Sequence, residues 1–238
     1  MPPTSTAPMG SYNCRYPNQG SLNMCPSPFP PFTEATDAAP TCQLAVVGAG
    51  TGGLYTALRL VDTGKYSGSS ICIFEMTERV GGRLYSLRGF GPDQDLVVDA
   101  GGYRTWPEYT PVTHALISEY LGLPVHCYDP ADDPCTKFNI GLIEGGERKA
   151  GFATFVEVMM ERLIAAGAKW YPKHELVSIS QSSSAGSKQL TFSNGAQAVA
   201  TKLVLNVPQR PLLYVLRESS LPTGALTSEI FEGLHSVQ

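Results

Sequence analysis

The sequence predicts an α/β fold built around a strand–turn–helix–strand unit, and three observations carry that expectation. The first is a glycine-rich turn, Gly48-x-Gly50-x-x-Gly53, set between an apolar run and an amphipathic one. The second is the short run "ICIF", which ends on an acidic residue, Glu75, 27 residues past Gly48. The third is the coexistence of alternating, hairpin-like strands with continuously apolar ones in the second half of the chain. Together they predict a parallel sheet with helices and a small antiparallel element.

Residues 1–41 are rich in Pro, Ser, Thr and Asn without apolar periodicity. They read as a leader that is disordered or draped over the surface. From Leu44 to Val47 the apolar run reads as a buried strand, and Leu54, Ala57, Leu58 and Val61 then recur at helical spacing. Ile71 to Phe74 forms a second buried strand and completes the βαβ unit. Thr110 before Pro111 reads as an N-cap with proline at the first helical position, and the short helix stops at Gly122. Phe152, Phe155, Val156, Met159 and Leu163 form a stripe that marks a core-facing helix closed by Gly167. "HELVSIS" and "KQLTFSNGAQAVA" read as strands with Asn194-Gly195 at a hairpin turn, and "KLVLNVP" as a further apolar strand ending at Pro208.

With 238 residues and 42% hydrophobic content, the chain can bury a core in one or two domains. The net charge of -4 and the lack of a basic block remove the electrostatic footprint of nucleic-acid binding. No window reaches the roughly 18 to 20 apolar residues of a membrane span, and the start "MPPTSTAPMG" lacks the marks of an export signal. Five of the six cysteines, Cys14, Cys25, Cys42, Cys127 and Cys135, sit in segments read as loop or linker, whereas Cys72 lies in "ICIF". Loop cysteines suit an extracellular or other oxidising compartment. Cys14 with Cys25 and Cys127 with Cys135 are the simplest local pairs, and six free thiols are the alternative. His114, His126 and His174 lack metal-ligand spacing and read as capping or surface residues, so no metal is expected. No G-x-S-x-G pattern supports a serine nucleophile.

The glycine turn carries the chemistry. Gly48 allows the tight turn, Gly50 lets backbone approach a pyrophosphate, and Gly53 lets helix and strand pack closely. Thr51 and Gly52 complete the turn at a helix N-terminus, whose free N–H groups favour an anion. Glu75, with Met76 beside it, stands where a carboxylate accepts hydrogen bonds from ribose hydroxyls. In "ERVGGRLYS" a second glycine pair, Gly81 and Gly82, is flanked by Arg79 and Arg83. That segment would bring backbone and guanidinium groups back onto a pyrophosphate.

This Arg-x-Gly-Gly-Arg segment after a ribose-binding glutamate resembles the flavin-containing amine oxidase family, and NAD dehydrogenases lack it. The resemblance implies FAD as cofactor and a Rossmann-like FAD-binding domain with an incomplete substrate-binding region. "VVDAGGYRTWPEY" is similar to the family segment that passes the flavin ring, which implies cofactor contacts from Gly101, Gly102 and Tyr103. Arg104 falls where members acting on L-amino acids carry an arginine, and a guanidinium there can grip an α-carboxylate with two hydrogen bonds. Tyr103 and Trp106 would shape the pocket. "HELVSIS" is similar to a second FAD-domain strand, with backbone near Leu176 at the adenine end. "LVLNVPQRPL" resembles the family's proline-ended strand.

By this resemblance, residues 42–103 and 168–208 make the FAD-binding domain, and 104–167 with 209–238 a partial substrate region. Two departures stand out. The interval from Arg104 to "HELVSIS" is far shorter than in the family, and the family's C-terminal third, with a lysine near flavin N5 and a last FAD glycine motif, has no counterpart. A truncated chain is therefore expected, and no catalytic residue is assigned. The implied activity is oxidative deamination of an L-amino acid or amine with O₂, giving a 2-oxo acid, ammonia and hydrogen peroxide. The alternative is a non-catalytic FAD- or dinucleotide-binding fragment or interaction module.

Overall fold

The computed structural model describes residues 32–90, 96–129, 131, 135–140, 151–184 and 186–221. In chain order the elements are β1 (Thr41–Val47), α1 (Thr51–Asp62), β2 (Ile71–Phe74), β3 (Ser86–Phe90), β4 (Leu96–Asp99), α2 (Pro111–Ala115) and β5 (Val125–Cys127). They continue with β6 (Phe138–Ile140), α3 (Thr154–Ala165), β7 (Lys169–Tyr171), β8 (Leu176–Gln181), β9 (Lys188–Phe192), β10 (Gln197–Leu205) and α4 (Gln209–Arg217). The chain forms two compact units, one of Pro31–Leu84 with Phe155–Gln238, the other containing Tyr85–Thr154.

The first unit is built on a six-stranded sheet of order β7-β2-β1-β10-β9-β8. Pairing is parallel from β7 through β10 and antiparallel from β10 through β8. This is the expected mixture, in one sheet. The two segments read as separate strands, "AQAVA" and "KLVL", are a single strand. Its first half, Gln197–Ala200, pairs with β9 across the hairpin, while Val199–Leu205 runs parallel to β1. The alternating part serves the hairpin and carries the buried Ala198 and Ala200, while the apolar part, half-buried, pairs with β1 alone, so the change in pattern marks a change of partner and no break in the strand.

β1 and β2 are buried on both faces. Ala45, Val47, Cys72 and Phe74 join Leu176, Ile179, Leu190, Phe192, Ala198 and Val215 in one core. Strand alternation sends Leu44, Val46, Ile71 and Ile73 to the opposite face. Leu54, Ala57 and Leu58 of α1 and Phe155, Val156, Met159 and Leu163 of α3 are each at most 2% exposed, as their helical spacing predicted. Gly167 ends α3 at a positive φ of 94°, with its N–H on Ile164 O at 2.8 Å.

Cys42 corrects the loop assignment made from its Pro- and Thr-rich surroundings. It is the second residue of β1, is buried, and forms a disulfide with Cys72 of β2. The bridge closes a sequence separation of 30 and contributes about 3–4 kcal/mol by restricting the unfolded chain. Cys127 and Cys135 pair as the local spacing predicted, although Cys127 lies in β5 and not in a loop. Cys14 and Cys25 lie outside the described residues.

The last part of the proposed leader is ordered against β7. Ala35 N–H donates to Trp170 O at 2.8 Å, and Asp37 takes an ion pair from Lys169 at 2.6 Å and a hydrogen bond from the Tyr171 phenol at 3.3 Å. Burial, and then the Asp37 carboxylate, push the Tyr171 phenol well above its ordinary value of 10.0. The unfolded chain therefore releases this proton first, and stability present below about pH 10 falls as pH rises further. Tyr171→Phe should flatten the loss of urea stability between about pH 10 and 12 relative to the unsubstituted chain. Equal slopes for the two proteins would remove Tyr171 from the account.

In the second unit, β3 pairs antiparallel with β4, and β5 with β6. These short pairs lack a long alternating run, so periodicity did not reveal them. Their polar interior was missed too. The Asp99 carboxylate accepts from Ser86 Oγ and from Phe152 N–H at 2.9 Å, while Arg88 Nη2 donates to Thr154 Oγ1 at 2.9 Å. Thr110 precedes α2 as expected but makes no side-chain cap. Its hydroxyl instead donates to Trp106 O at 2.8 Å and accepts from Trp106 N–H at 2.9 Å, closing the turn before the helix. Two of the histidines read as capping or surface residues pack on aromatic rings. His114 lies tilted against Phe138 with a ring separation of 5.1 Å, and His174 lies among Phe74, Tyr171 and Phe192. Both are half-buried at the surface, with their rings against aromatic neighbours.

Candidate functional site

The site forms where β1 and β2 end side by side. Parallel pairing sets Val47 opposite Phe74, so the residues that follow, Gly48 and Glu75, emerge at the same edge. Gly48 N–H donates to Phe74 O at 2.8 Å. Its φ of +100° lies in the left-handed region, and a Cβ there would stand 2.2 Å from Asn206 O. Only glycine fits this turn without displacement. A Cβ on Gly53 would stand 2.2 Å from Gly48 O and 3.2 Å from Val46 Cγ1, which confirms close packing of helix on strand.

Gly50 is the N-cap of α1, with no side-chain cap and no acidic residue in the first turn. The opening N–H groups of α1, at Thr51, Gly52 and Gly53, precede the first helical bond, from Leu54 N–H to Gly50 O at 3.0 Å. Such a terminus carries a partial positive charge and favours an anion.

Glu75 stands at the end of β2, 9% exposed. One carboxylate oxygen accepts from Ala49 N–H at 3.0 Å; the other accepts from Thr77 N–H and Thr77 Oγ1, each at 3.0 Å. The acid thus fastens the glycine turn to the end of β2 while retaining lone pairs for further donors. Thr77 supports it and was not singled out from the sequence; its position two residues past the acid matches an Asx-like turn signal. Met76 is 62% exposed beside it.

The second glycine pair docks on the first turn. Gly81 N–H donates to Ala49 O at 2.8 Å, and Gly50 and Gly81 form an isolated parallel bridge. Arg79 reaches inward: its guanidinium donates to Val80 O, Leu84 O and Gly82 O at 3.3, 3.1 and 2.6 Å. It shapes the 79–84 turn, while Arg83 is exposed. The chain beyond β7 also returns here, since His174 N–H donates to Glu75 O at 2.8 Å and Lys173 N–H to Thr77 O at 3.1 Å. Leu176 follows this return, its side chain in the core and its backbone paired with Phe192.

Gly101, Gly102, Tyr103 and Arg104 belong to the other unit. There the Arg104 guanidinium lies over the rings of Trp106, Tyr103 and Tyr128, at 4.4, 4.7 and 5.4 Å from their centroids. Tyr128 joins through a 5.6 Å ring contact with Tyr103. Its distance along the chain concealed it. A guanidinium set against ring faces by cation–π attraction keeps N–H donors that can pair with a planar carboxylate. Among the described residues no group of three His, Cys, Asp or Glu could hold a metal ion, and no helix is long and apolar enough to cross a membrane.

Strand, glycine turn, helix and strand-end carboxylate make a Rossmann-like α/β fold. The family described as NAD(P)-binding Rossmann-like domain matches residues 46–120. Aplysianin-A of Aplysia kurodai is 34% identical over 79 residues, which is 33% of this chain and 13% of that protein. The structure of a putrescine oxidase double mutant redesigned in cofactor binding superposes with a TM-score of 0.57 at 12% identity, covering 83% of this chain and 64% of that one. The wild-type putrescine oxidase bound to putrescine gives a TM-score of 0.52 at 13% identity, covering 77% and 62%. The likeness to amine oxidases read from the glycine pair thus holds at the level of fold, and the chain spans less than two thirds of these relatives.

Proposed function

We propose that the chain binds FAD and serves in the oxidative deamination of an L-amino acid or amine, in an oxidising compartment. The docking of Gly81 on the Ala49–Gly50 turn carries this reading, because it sets a second glycine segment against the first at the pyrophosphate position. The residues fit the cofactor: the start of α1 offers uncapped N–H groups to phosphate, and Glu75 offers a fixed carboxylate to ribose hydroxyls. Gly48, Gly50, Thr51, Gly52, Gly53, Gly81, Gly82 and Arg83 would line the pyrophosphate side. When bound, the flavin supplies the two-electron oxidation, with O₂ as acceptor yielding hydrogen peroxide; water then hydrolyses an amino acid's imine to a 2-oxo acid and ammonia, or a simple amine's imine to an aldehyde and ammonia. Arg104, set among Trp106, Tyr103 and Tyr128, would orient an amino-acid carboxylate through its guanidinium N–H groups. The two disulfides among the described residues support the compartment.

The test is the visible spectrum of the purified chain after incubation with FAD, followed by a peroxide-coupled screen of L-amino acids and amines. Arg104→Lys should raise KM for amino acids by about tenfold or more, since an ammonium lacks the planar fork, and leave simple amines unchanged. Uniform loss on both substrate types would assign Arg104 to packing. FAD binding without peroxide from any substrate would favour the second reading, a dinucleotide-binding module.

A further inference from the structure

One side chain from the far end of the fold enters the glycine turn. β10 ends at Leu205, and the next residue, Asn206, extends its pairing with β1 by donating its backbone N–H to Val47 O at 2.8 Å. Its carboxamide then crosses beneath the turn, and Nδ2 donates to Gly48 O at 3.3 Å. A Cβ added to Gly50 or to Gly53 would lie 3.2 Å from this Nδ2, and one added to Gly52 would lie 2.7 Å from Oδ1. A single amide therefore lies against the turn at Gly48, Gly50, Gly52 and Gly53. These glycines leave room for Asn206 as well as for a ligand.

The surrounding bonds show what that contact does. The Gly48 N–H is held by Phe74 O, the Ala49 N–H by Glu75, and the Ala49 carbonyl by Gly81 N–H. The Gly48 carbonyl is the remaining polar group of this two-residue stretch, and Asn206 is the residue that takes it. With both peptides fixed, the N–H groups that open α1 are held in one direction. The group beside them is also neutral, so it adds no charge where an anion would sit.

We propose that Asn206 is a positioning residue for the pyrophosphate turn, locking the Gly48 carbonyl so that the start of α1 presents its donors to a diphosphate. The proposal rests on the dinucleotide reading given above and adds to it a residue more than 150 positions away in sequence. It accounts for a polar residue at the end of a strand whose preceding run, Leu203 to Leu205, is apolar.

The experiment compares the unsubstituted chain with Asn206→Leu and Asn206→Asp. Dissociation constants for FAD and ADP are measured by calorimetry, adenosine binding by ligand-observed NMR, and the melting temperature of each ligand-free protein is recorded. Asn206→Leu keeps the side-chain size and removes the bond, so FAD and ADP should bind roughly three- to tenfold more weakly, with adenosine unchanged. Asn206→Asp sets a negative charge beside the diphosphate and should weaken both by about a hundredfold, again sparing adenosine. The selectivity for phosphate-bearing ligands is the readout that a merely structural role would not move. Equal weakening of all three ligands, or FAD and ADP affinities unchanged in both variants, would overturn the proposal while leaving the dinucleotide site intact. Should Asn206→Asp fail to fold, Asn206→Leu decides alone. An unsubstituted chain that binds neither FAD nor ADP would overturn the dinucleotide reading itself, and this proposal with it.

Discussion

Replacing Gly48 with alanine is expected to destabilise the Rossmann-like unit by about 2–6 kcal/mol, the sum of a left-handed backbone cost and an overpacking cost. The residue has φ +100°, and its new methyl group would meet Asn206 O at 2.2 Å and Asn206 C at 2.9 Å. Both obstacles are main chain, which cannot rotate aside as a side chain can. Relief would require β10 to separate from β1, yet their register runs continuously through Val46–Val204 and Val47–Leu205. Since a domain of ordinary stability has about 5–15 kcal/mol in hand, this one methyl removes a large share of it. Urea unfolding followed by tryptophan fluorescence measures the effect directly, because Trp170 lies in β7 of the same sheet. A midpoint unchanged from that of the parent chain would show that the turn is softer than its hydrogen bonds imply.

The second large effect belongs to Glu75→Gln. The carboxylate accepts three hydrogen bonds, from Ala49 N–H, Thr77 N–H and Thr77 Oγ1, and it is 9% exposed. A glutamine can turn its one carbonyl oxygen to Ala49 or to Thr77, and its amide then faces an N–H donor on the other side. One buried donor loses its acceptor, at about 1–3 kcal/mol. The loss for a cofactor is greater, because charge-assisted bonds to ribose hydroxyls disappear while the glycine turn loosens. Affinity for FAD should fall by at least about tenfold, with Glu75→Asp intermediate, too short to reach both partners together. A glutamine variant that retains full affinity would show that the acid serves the turn alone. Unlike the Asn206 substitutions, this change should weaken adenosine along with ADP, because ribose is common to both.

Much of this site was legible because its residues are local in sequence. Gly48 to Gly53 follow a strand and open a helix, Glu75 ends the next strand, and Gly81 and Gly82 lie a few residues on. Parallel pairing of two neighbouring strands with a right-handed crossover is enough to bring such residues together. The apolar stripes of α1 and α3 were legible for a related reason, since a helix that buries one face must repeat every three to four residues. Where the sequence fell short, a residue had two roles. Thr110 is the N-cap residue with Pro111 after it, as read, while its hydroxyl closes the preceding turn; Cys42 sits among loop-forming neighbours, but burial between two strands decides its state. Arg79, read as a phosphate ligand, also donates to three nearby carbonyls and so shapes its own turn.

The sequence by itself determined the βαβ unit, the glycine turn and the acid at the end of β2, all set by spacing and local stereochemistry. Tertiary structure alone decided which partners these residues meet across long separations. The merging of a hairpin arm and a parallel central strand into β10 depends on pairing with β1, and no periodicity within the strand records it. The same pairing delivers Asn206 to Gly48, Tyr171 to Asp37 depends on β7 beside the end of the leader, and Tyr128 to Tyr103 depends on a loop closing back. Hydrophobic pattern and turn chemistry fix the elements because they act over a few residues; contacts over longer separations are fixed by how those elements pack.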